Sequence, residues 1–439
     1  MVRSHLVKKY GFKKILQPLI TDLIQLQSET GILIRLANED SDFVLRSTIV
    51  HVLGDTAAVH ELFELMPAQS NLFCRACNIT REDLHSGSYG AHYPLKTRAT
   101  VNSSIHAMEE KATTSSKCGI LRRSALDSLK YFHFTENVSF DPMHDVLEGL
   151  VGMVIKSILN HLINVAKVIT DTEINRRITN FEYGIAETND KPSGNFCAKN
   201  LKTKGNLINQ SASQSWLLLR IFPFITSDVL QQFPNFSNLI QDLLLITFYS
   251  FSTNLTTEML NCFNNSIQSF YEHFQRSFPN KTPINKVHHI SHYVEVIKQN
   301  GPIAKMSCLQ FEGKFKVSKS QAKTCRNFRN LTLSMAKRIN LRQINAIIHH
   351  EYMIDQVVVK STILIEKQSV DYAMLLFDLP EHVTFVKHLT LNGTNFKPGI
   401  VIKIDTYSGQ NYGVLEAIIE MNIEGKKKLF LYCSDFENC

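Results

Sequence analysis

The chain has 439 residues, 44% of them hydrophobic and 20% charged, with 18 glycines and 12 prolines. That composition excludes a disordered, collagen-like or low-complexity chain, and at roughly 100–200 residues per domain it predicts two to four domains. Lys and Arg number 47 against 40 Asp and Glu, a net charge of +7 that tilts toward a polyanionic partner.

The nine cysteines are an odd count in a chain far longer than a disulfide scaffold. Met1–Tyr10 carries Arg3, Lys8 and Lys9 without the apolar centre of a secretory signal. The most apolar stretches, such as Leu243–Ser252, look too short for a bilayer. The expectation is an intracellular protein, nuclear or cytoplasmic, not secreted and not membrane-bound. Its cysteines would be thiols or metal ligands.

Ile15, Leu16, Leu19, Ile20, Leu23 and Ile24 recur at helical spacing and predict a helix over 14–29, closing near Gly31. Phe43–Leu53 is rich in Val, Ile, Leu and Thr, and reads as a buried strand that delivers Asp55 at its end. Residues 78–135 are polar and read as a long connection with short helices. Asp141-Pro142 opens a strong helix, a good cap followed by a good first helical residue. Further helices fit 172–186, 212–232, 236–276 and 283–299, and helical spacing resumes over 312–350. From about 371 the pattern changes to short β-like runs divided by Asn392-Gly393, Ser408-Gly409 and Glu424-Gly425, which predicts a small antiparallel barrel or sandwich.

Four constellations bear on chemistry. Cys74 and Cys77 are spaced to share one zinc ion, although one such pair makes only half a site. His288 and His292, four apart on a helix, could supply the other half, although a solvated helix start explains them equally well. Together they form a Cys2His2 set with no open position, hence a structural one. Asp55 and Glu312 are carboxylates that could hold divalent ions for phosphoryl transfer, although a strand-end Asp and a lone helical Glu are common. Finally, Gly313–His350 holds no Asp or Glu. It carries Lys314, Lys316, Lys319, Lys323, Arg326, Arg329, Lys337, Arg338 and Arg342, which suits either a nucleic-acid backbone or a solvated basic face.

Taken in order, these residues make a pattern: Gly54-Asp55, Cys-x2-Cys from nineteen residues later, Asp141-x2-His144, His288-x3-His292, and Glu312 twenty residues on. This resembles the RNase H-like DDE transposases of the CACTA (En/Spm-like) group, animal transposon-derived members above all. It is more distantly similar to the V(D)J recombinase catalytic core. The phrases HVLGDTAAVHELF, NLFCRACNITRED, FDPMHDVLEGLVG and HHISHYVEVIKQNGPI carry the likeness, over about residues 5–350.

The resemblance implies an α+β chain: a partial RNase H-like fold interrupted by a large, mainly helical, zinc-bound insertion, then a small C-terminal antiparallel β domain. The implied divisions are 1–60 and 301–355 for the RNase H-like core, 61–300 for the insertion and 365–439 for the β domain. It implies catalytic roles for Asp55 and Glu312, with Asp141 a further catalytic candidate in the motif that includes His144. Cys74, Cys77, His288 and His292 would hold structural Zn2+, and Lys314, Lys316, Lys319, Lys323, Arg326 and Arg329 would face DNA, either transposon ends or nonspecific sequence. A homo-oligomer is left open.

Family enzymes use three acids and two Mg2+ or Mn2+ ions, one activating water or a 3′-hydroxyl and one stabilising the leaving oxygen. The first acid belongs on a strand ahead of the 14–29 helix. Met1–Phe12 contains no Asp or Glu and no strand pattern, and Asp22, Asp40 and Asp42 are poor substitutes. The expectation is a transposase-like protein, N-terminally truncated and catalytically impaired, that keeps DNA affinity. The alternatives are an active strand-transfer enzyme and a host-adapted DNA- or protein-binding scaffold.

Overall fold

The computed structural model describes residues 4–35, 42–184, 187–203, 205–206, 208–325, 330–348, 357–366, 382–391, 394–406, 409–423 and 426–435. These residues fall into two compact units. One takes the described residues up to Tyr183 together with Asn189–Cys325; the other holds Gly184, Glu187, Thr188 and the described residues beyond Cys325. The class is α+β, as expected, with helices and a separate antiparallel sheet. The sequence pattern places a division between 355 and 365, whereas the helix Leu331–Ile348 groups with the sheet.

In the first unit the chain begins with α1 (Ser4–Leu26), which Gly11 interrupts at φ 70. A hairpin of β1 (Ile32–Arg35) and β2 (Asp42–Leu45) follows, then α2 (Thr56–Leu62), α3 (Arg81–His85), α4 (Arg98–Glu109) and α5 (Ser115–Cys118). α1, α2, α4 and the segment to Phe134 share a satellite core of Ile20, Leu23, Val59, Phe63, Ile105 and Phe132. Gly31 stands at φ 60 between α1 and the hairpin, where a Cβ would lie 2.7 Å from the Leu45 carbonyl oxygen, so only glycine fits this turn.

The buried strand expected over Phe43–Leu53 is not there. β2 stops at Leu45 with all four residues exposed, and its ladder partner is β1. Beyond it the backbone is held by single bonds instead of a sheet: Ser139 Oγ donates to the Val52 carbonyl at 2.7 Å, and His51 Nδ1 lies 3.3 Å from that of Asn137. The apolar run is still used, since Ile49 and Val52 pack on the satellite core and Leu53 on the main one. Asp55 therefore ends no strand. It is the N-cap of α2, its Oδ1 accepting from Ala58 N–H at 2.7 Å.

The main core surrounds α6 (Met143–Val165). Val146, Leu147, Leu150, Val151, Val154, Ile155, Ile158 and Leu159 form its apolar face and are fully buried, and Asp145 and Lys156 on other sides of it are buried as well. A helix with so little exposed surface needs cover on almost every side. α6 is in fact long and apolar enough to cross a membrane, contrary to the expectation that every stretch is too short, and 83% of its apolar window is buried in the protein. Its cover comes from α7 (Asp171–Asn180), α8 (Ala198–Leu201), α9 (Ala212–Ile225), α10 (Ser227–Leu230), α11 (Pro234–Phe251), α12 (Thr257–Ser277), α13 (Asn285–His289) and α14 (Tyr293–Asn300). The predicted 236–276 helix is the pair α11 and α12, parted before the Thr256 cap. α15 (Leu309–Cys325) closes the unit.

In the second unit, α16 (Leu331–Ile348) precedes six strands: β3 (Val357–Glu366), β4 (His382–Leu391), β5 (Thr394–Phe396), β6 (Val401–Thr406), β7 (Gly409–Ile423) and β8 (Lys426–Asp435). Every pairing is antiparallel, in the order β3-β4-β7-β6, with β5 on β4 and β8 on β7. β7 organises the sheet, bonding β6 with its first half, β8 along most of its length and β4 near Ile419. β4, β6, β7 and β8 match the four runs read from the sequence, while β3 and β5 were not anticipated.

Leu150→Ala in the wall of α6 should cost about 2–5 kcal/mol, read as a lower denaturant midpoint at unchanged slope. A second expectation concerns pH. Burial, helped by the Arg75 charge, lowers His60 to about 4, below its usual 6.5. The unfolded chain then binds the extra proton, so this contribution is complete above pH 6.5 and is lost as pH falls toward 4. The loss is about 3 kcal/mol. His60→Asn should flatten that window in unfolding curves taken at several pH values.

Candidate metal centre

The segment Phe73–Ile79 folds back on residues 94–96. Cys77 bridges to Leu95, Lys96 N–H donates to the Ala76 carbonyl at 2.8 Å, and Asn78 N–H to that of Pro94 at 3.1 Å. The resulting tight turn turns both sulfurs to the same side, and Ala76 N–H points at Cys74 Sγ from 3.4 Å. The Lys96 ammonium is buried under the turn and donates to the carbonyls of Cys74 and Cys77. Burial lowers its pKa, opposed by the two cysteines.

Opposite the turn, α13 and the single helical turn Ile290–His292 present the imidazoles. Cys77 Sγ lies 3.1 Å from His288 Nε2, and Cys74 Sγ 3.5 Å from His292 Nε2. All four donor atoms fall within 4.8 Å of one another. Cys74, Cys77 and His288 are buried and His292 is half-buried. This set can hold a metal ion such as zinc.

The neighbouring groups fit such an ion. His288 Nδ1 lies 2.8 Å from the Tyr89 carbonyl, which can only accept, so Nδ1 carries the proton and Nε2 offers its lone pair. That lone pair faces His292 Nε2 at 3.0 Å. Two nitrogens so close need a proton or a cation between them. His292 stacks on Phe140 at 5.6 Å, and Phe73 and Tyr93 meet the edge of His288, which fixes both rings. Burial works against a thiolate at Cys74, but Cys77 donating to it, with His292 and His288 beside it, brings its pKa well below the usual thiol value. The same bond keeps Cys77 protonated. Zinc would take both sulfurs as thiolates, with release of a proton.

The residues between the ligands were not singled out from the sequence. Arg75, between the cysteines, is buried with its guanidinium 4.5 Å from the Phe140 ring. His289, between the histidines, reaches Asp145 Oδ1 at 3.0 Å, and the Tyr293 hydroxyl donates to Asp145 Oδ2 at 3.3 Å. Burial pushes the Asp145 carboxyl up, yet His289 and Arg75 outweigh it and hold the group below its usual range. The ligand pairs and the first turns of α6 thus share one buried charged network.

Four residues before Asp145 begins an acidic recess. Asp141 Oδ1 accepts from the backbone N–H groups of Met143 and Cys308, both at 3.0 Å, and Oδ2 meets His144 Nδ1. His144 Nε2 faces Glu312 Oε1 at 3.4 Å and Glu148 Oε2 at 3.9 Å. Burial opposes a charged His144, but its bond to Asp141 and the charges of Asp141 and Glu148 raise its pKa. The Cys308 thiol is pushed up to about 12 by burial and then by Asp141, Glu312 and Asp55. The helix here is widened, with Val151 N–H bonding back to the Val146 carbonyl. Gly149 lets Lys286 cross close enough to donate to the His144 carbonyl at 2.5 Å.

Of the predicted DNA contacts, Lys314, Lys316, Lys319 and Lys323 are exposed on α15, while Arg326 and Arg329 lie outside the described residues. Glu312, Lys316, Lys319 and Lys323 follow helical spacing along one face, and Lys319 Nζ lies 5.0 Å from the Phe315 ring. No protein-family model matches the chain, and no curated protein does.

Metal analysis of the purified chain should show zinc bound, and that portion should be absent from a Cys74→Ala, Cys77→Ala double variant. Because metal displaces protons from its ligands, affinity should fall as pH is lowered. A metal-free, well-folded wild type would count against the centre.

Proposed function

We propose that the chain is a transposon-derived protein of the DDE transposase kind, similar to the CACTA group, that binds DNA and is impaired in cutting it. The observation that carries this reading is that Asp141 and Glu312, from distant parts of the sequence, meet at one imidazole: His144 Nδ1 bonds Asp141 Oδ2 and its Nε2 lies 3.4 Å from Glu312 Oε1. From Glu312 a face of exposed lysines runs down α15, so a phosphate backbone drawn to that helix would pass the acids. The Cys2His2 set would then hold structural zinc, bracing the start of α6 beside Asp141 through the His289–Asp145 contact.

Impairment follows from how the acids are used. A two-ion site needs several carboxylate oxygens free to bridge metals. Here one oxygen of Asp55 caps α2 and one of Asp141 holds two backbone N–H groups, while the other meets His144. These donors do not make a complete Mg2+ or Mn2+ pair.

A salt-titrated DNA-binding assay tests the first half. Affinity should fall steeply with salt, and Lys316→Ala, Lys319→Ala, Lys323→Ala together should flatten the log–log slope by about 2.7, roughly 0.9 per lost phosphate contact. No binding at low salt would defeat the DNA reading. For the second half, plasmid incubated with the protein and Mg2+ or Mn2+ should stay intact. The meeting of Asp141 and Glu312 at His144 favours the active enzyme as the competing reading. Metal-dependent nicking that disappears in Asp55→Ala or Glu312→Ala would establish it.

A further inference from the structure

The recess beside α6 brings three unlike donors together. A carboxylate oxygen of Asp141, an imidazole nitrogen of His144 and the sulfur of Cys308 all lie within 4.8 Å of one another. Asp141 and Cys308 are buried, and His144 is half-buried where the recess opens toward Glu148 and Glu312. The arrangement is held from outside. Asp141 is oriented by two backbone N–H groups, one of them that of Cys308 itself, which ties the thiol and carboxylate into one rigid unit. His144 is held by its own helix, whose carbonyl Lys286 fixes.

Charge also favours a cation. Asp141, Glu148 and Glu312 surround one imidazole, and Lys286 is the basic side chain bonded to this turn. Carboxylates crowded in a half-buried space repel one another unless something positive joins them. A proton on His144 is one answer; a divalent ion is another.

We infer that Asp141, His144 and Cys308 form a second metal site, open toward Glu312, for a borderline divalent transition ion such as Zn2+ or Co2+. The donor set excludes Mg2+ as its preferred occupant, because a thiolate and an imidazole suit softer ions while Mg2+ keeps oxygen ligands and water. Binding replaces the Cys308 and His144 protons, which leave to solvent. Three protein donors leave a fourth position that Glu312 or water can fill, unlike the closed Cys2His2 set. The inference does not depend on the transposase reading, since neither DNA nor cleavage enters it.

The test is an anaerobic titration of the reduced, metal-free full chain with Co2+, followed by the sulfur-to-cobalt absorption band and by bound metal after desalting. The wild type should take up two equivalents. Cys308→Ser should take up one and lose about a third of the sulfur-to-cobalt intensity, since it removes one of three thiolates. His144→Ala, at the rim of the recess, should also bind one equivalent, and it carries the test if Cys308→Ser does not fold. Excess Mg2+ should displace neither ion. One equivalent in the wild type overturns the second site. So does a two-equivalent wild type whose stoichiometry survives in folded Cys308→Ser or His144→Ala.

Discussion

The larger unit depends on the meeting of a turn near residue 75 with a helix near residue 290. Cys77 faces His288 across 211 positions of sequence, and Cys74 faces His292 across 218. Closing so long a loop costs entropy, but the cost grows only with the logarithm of loop length. A shared ion that binds the folded chain alone repays it directly, because metal affinity then counts as folding free energy. Between these two anchors the chain winds α6 through α12 around a single apolar core.

The ligand pairs have a second use. Each encloses a residue that points the other way, Arg75 from the cysteines and His289 from the histidines, and both act on Asp145. Asp145 lies one turn past Asp141, so the same first turns of α6 serve the buried network and the acidic recess. Burying this many charges is expensive unless each is paired. The widened turns and Gly149 allow the necessary closeness, since a side chain at Gly149 would collide with Lys286.

Features whose geometry is written into local spacing were legible in the sequence. Cys-x2-Cys and His-x3-His each encode one side of a metal set, and their meeting followed from zinc chemistry. The α6 pattern and the runs that became β4, β6, β7 and β8 were equally readable, while Asn392, Gly393, Ser408, Glu424 and Gly425, read as breaks, lie outside the described residues. Phe43–Leu53 misled because β-branched residues report a fit to a pleated, half-buried surface, and here only Phe43–Leu45 pair with a strand, β1, in an exposed hairpin. Ile49, Val52 and Leu53 pack into the cores instead, while Phe43, Val44, Leu45 and Val50 stay exposed. Cys308 gave no signal at all, since a lone cysteine has no partner at a telling distance in sequence. Its significance comes wholly from the loop that carries its N–H to Asp141.

The apolar surface of α6 has a consequence during synthesis. This helix is complete once residue 165 has left the ribosome, yet the segments that cover it continue to the end of α14, about 135 residues later. At about 5–20 residues per second that leaves α6 without its full cover for roughly 7–27 seconds. The nascent chain therefore passes through a stage in which its most hydrophobic segment is only partly covered. Metal shortens that interval little, because His288 and His292 are made near its end. Yield of the folded protein should therefore be set by what shields α6 in the meantime more than by the stability of the finished fold.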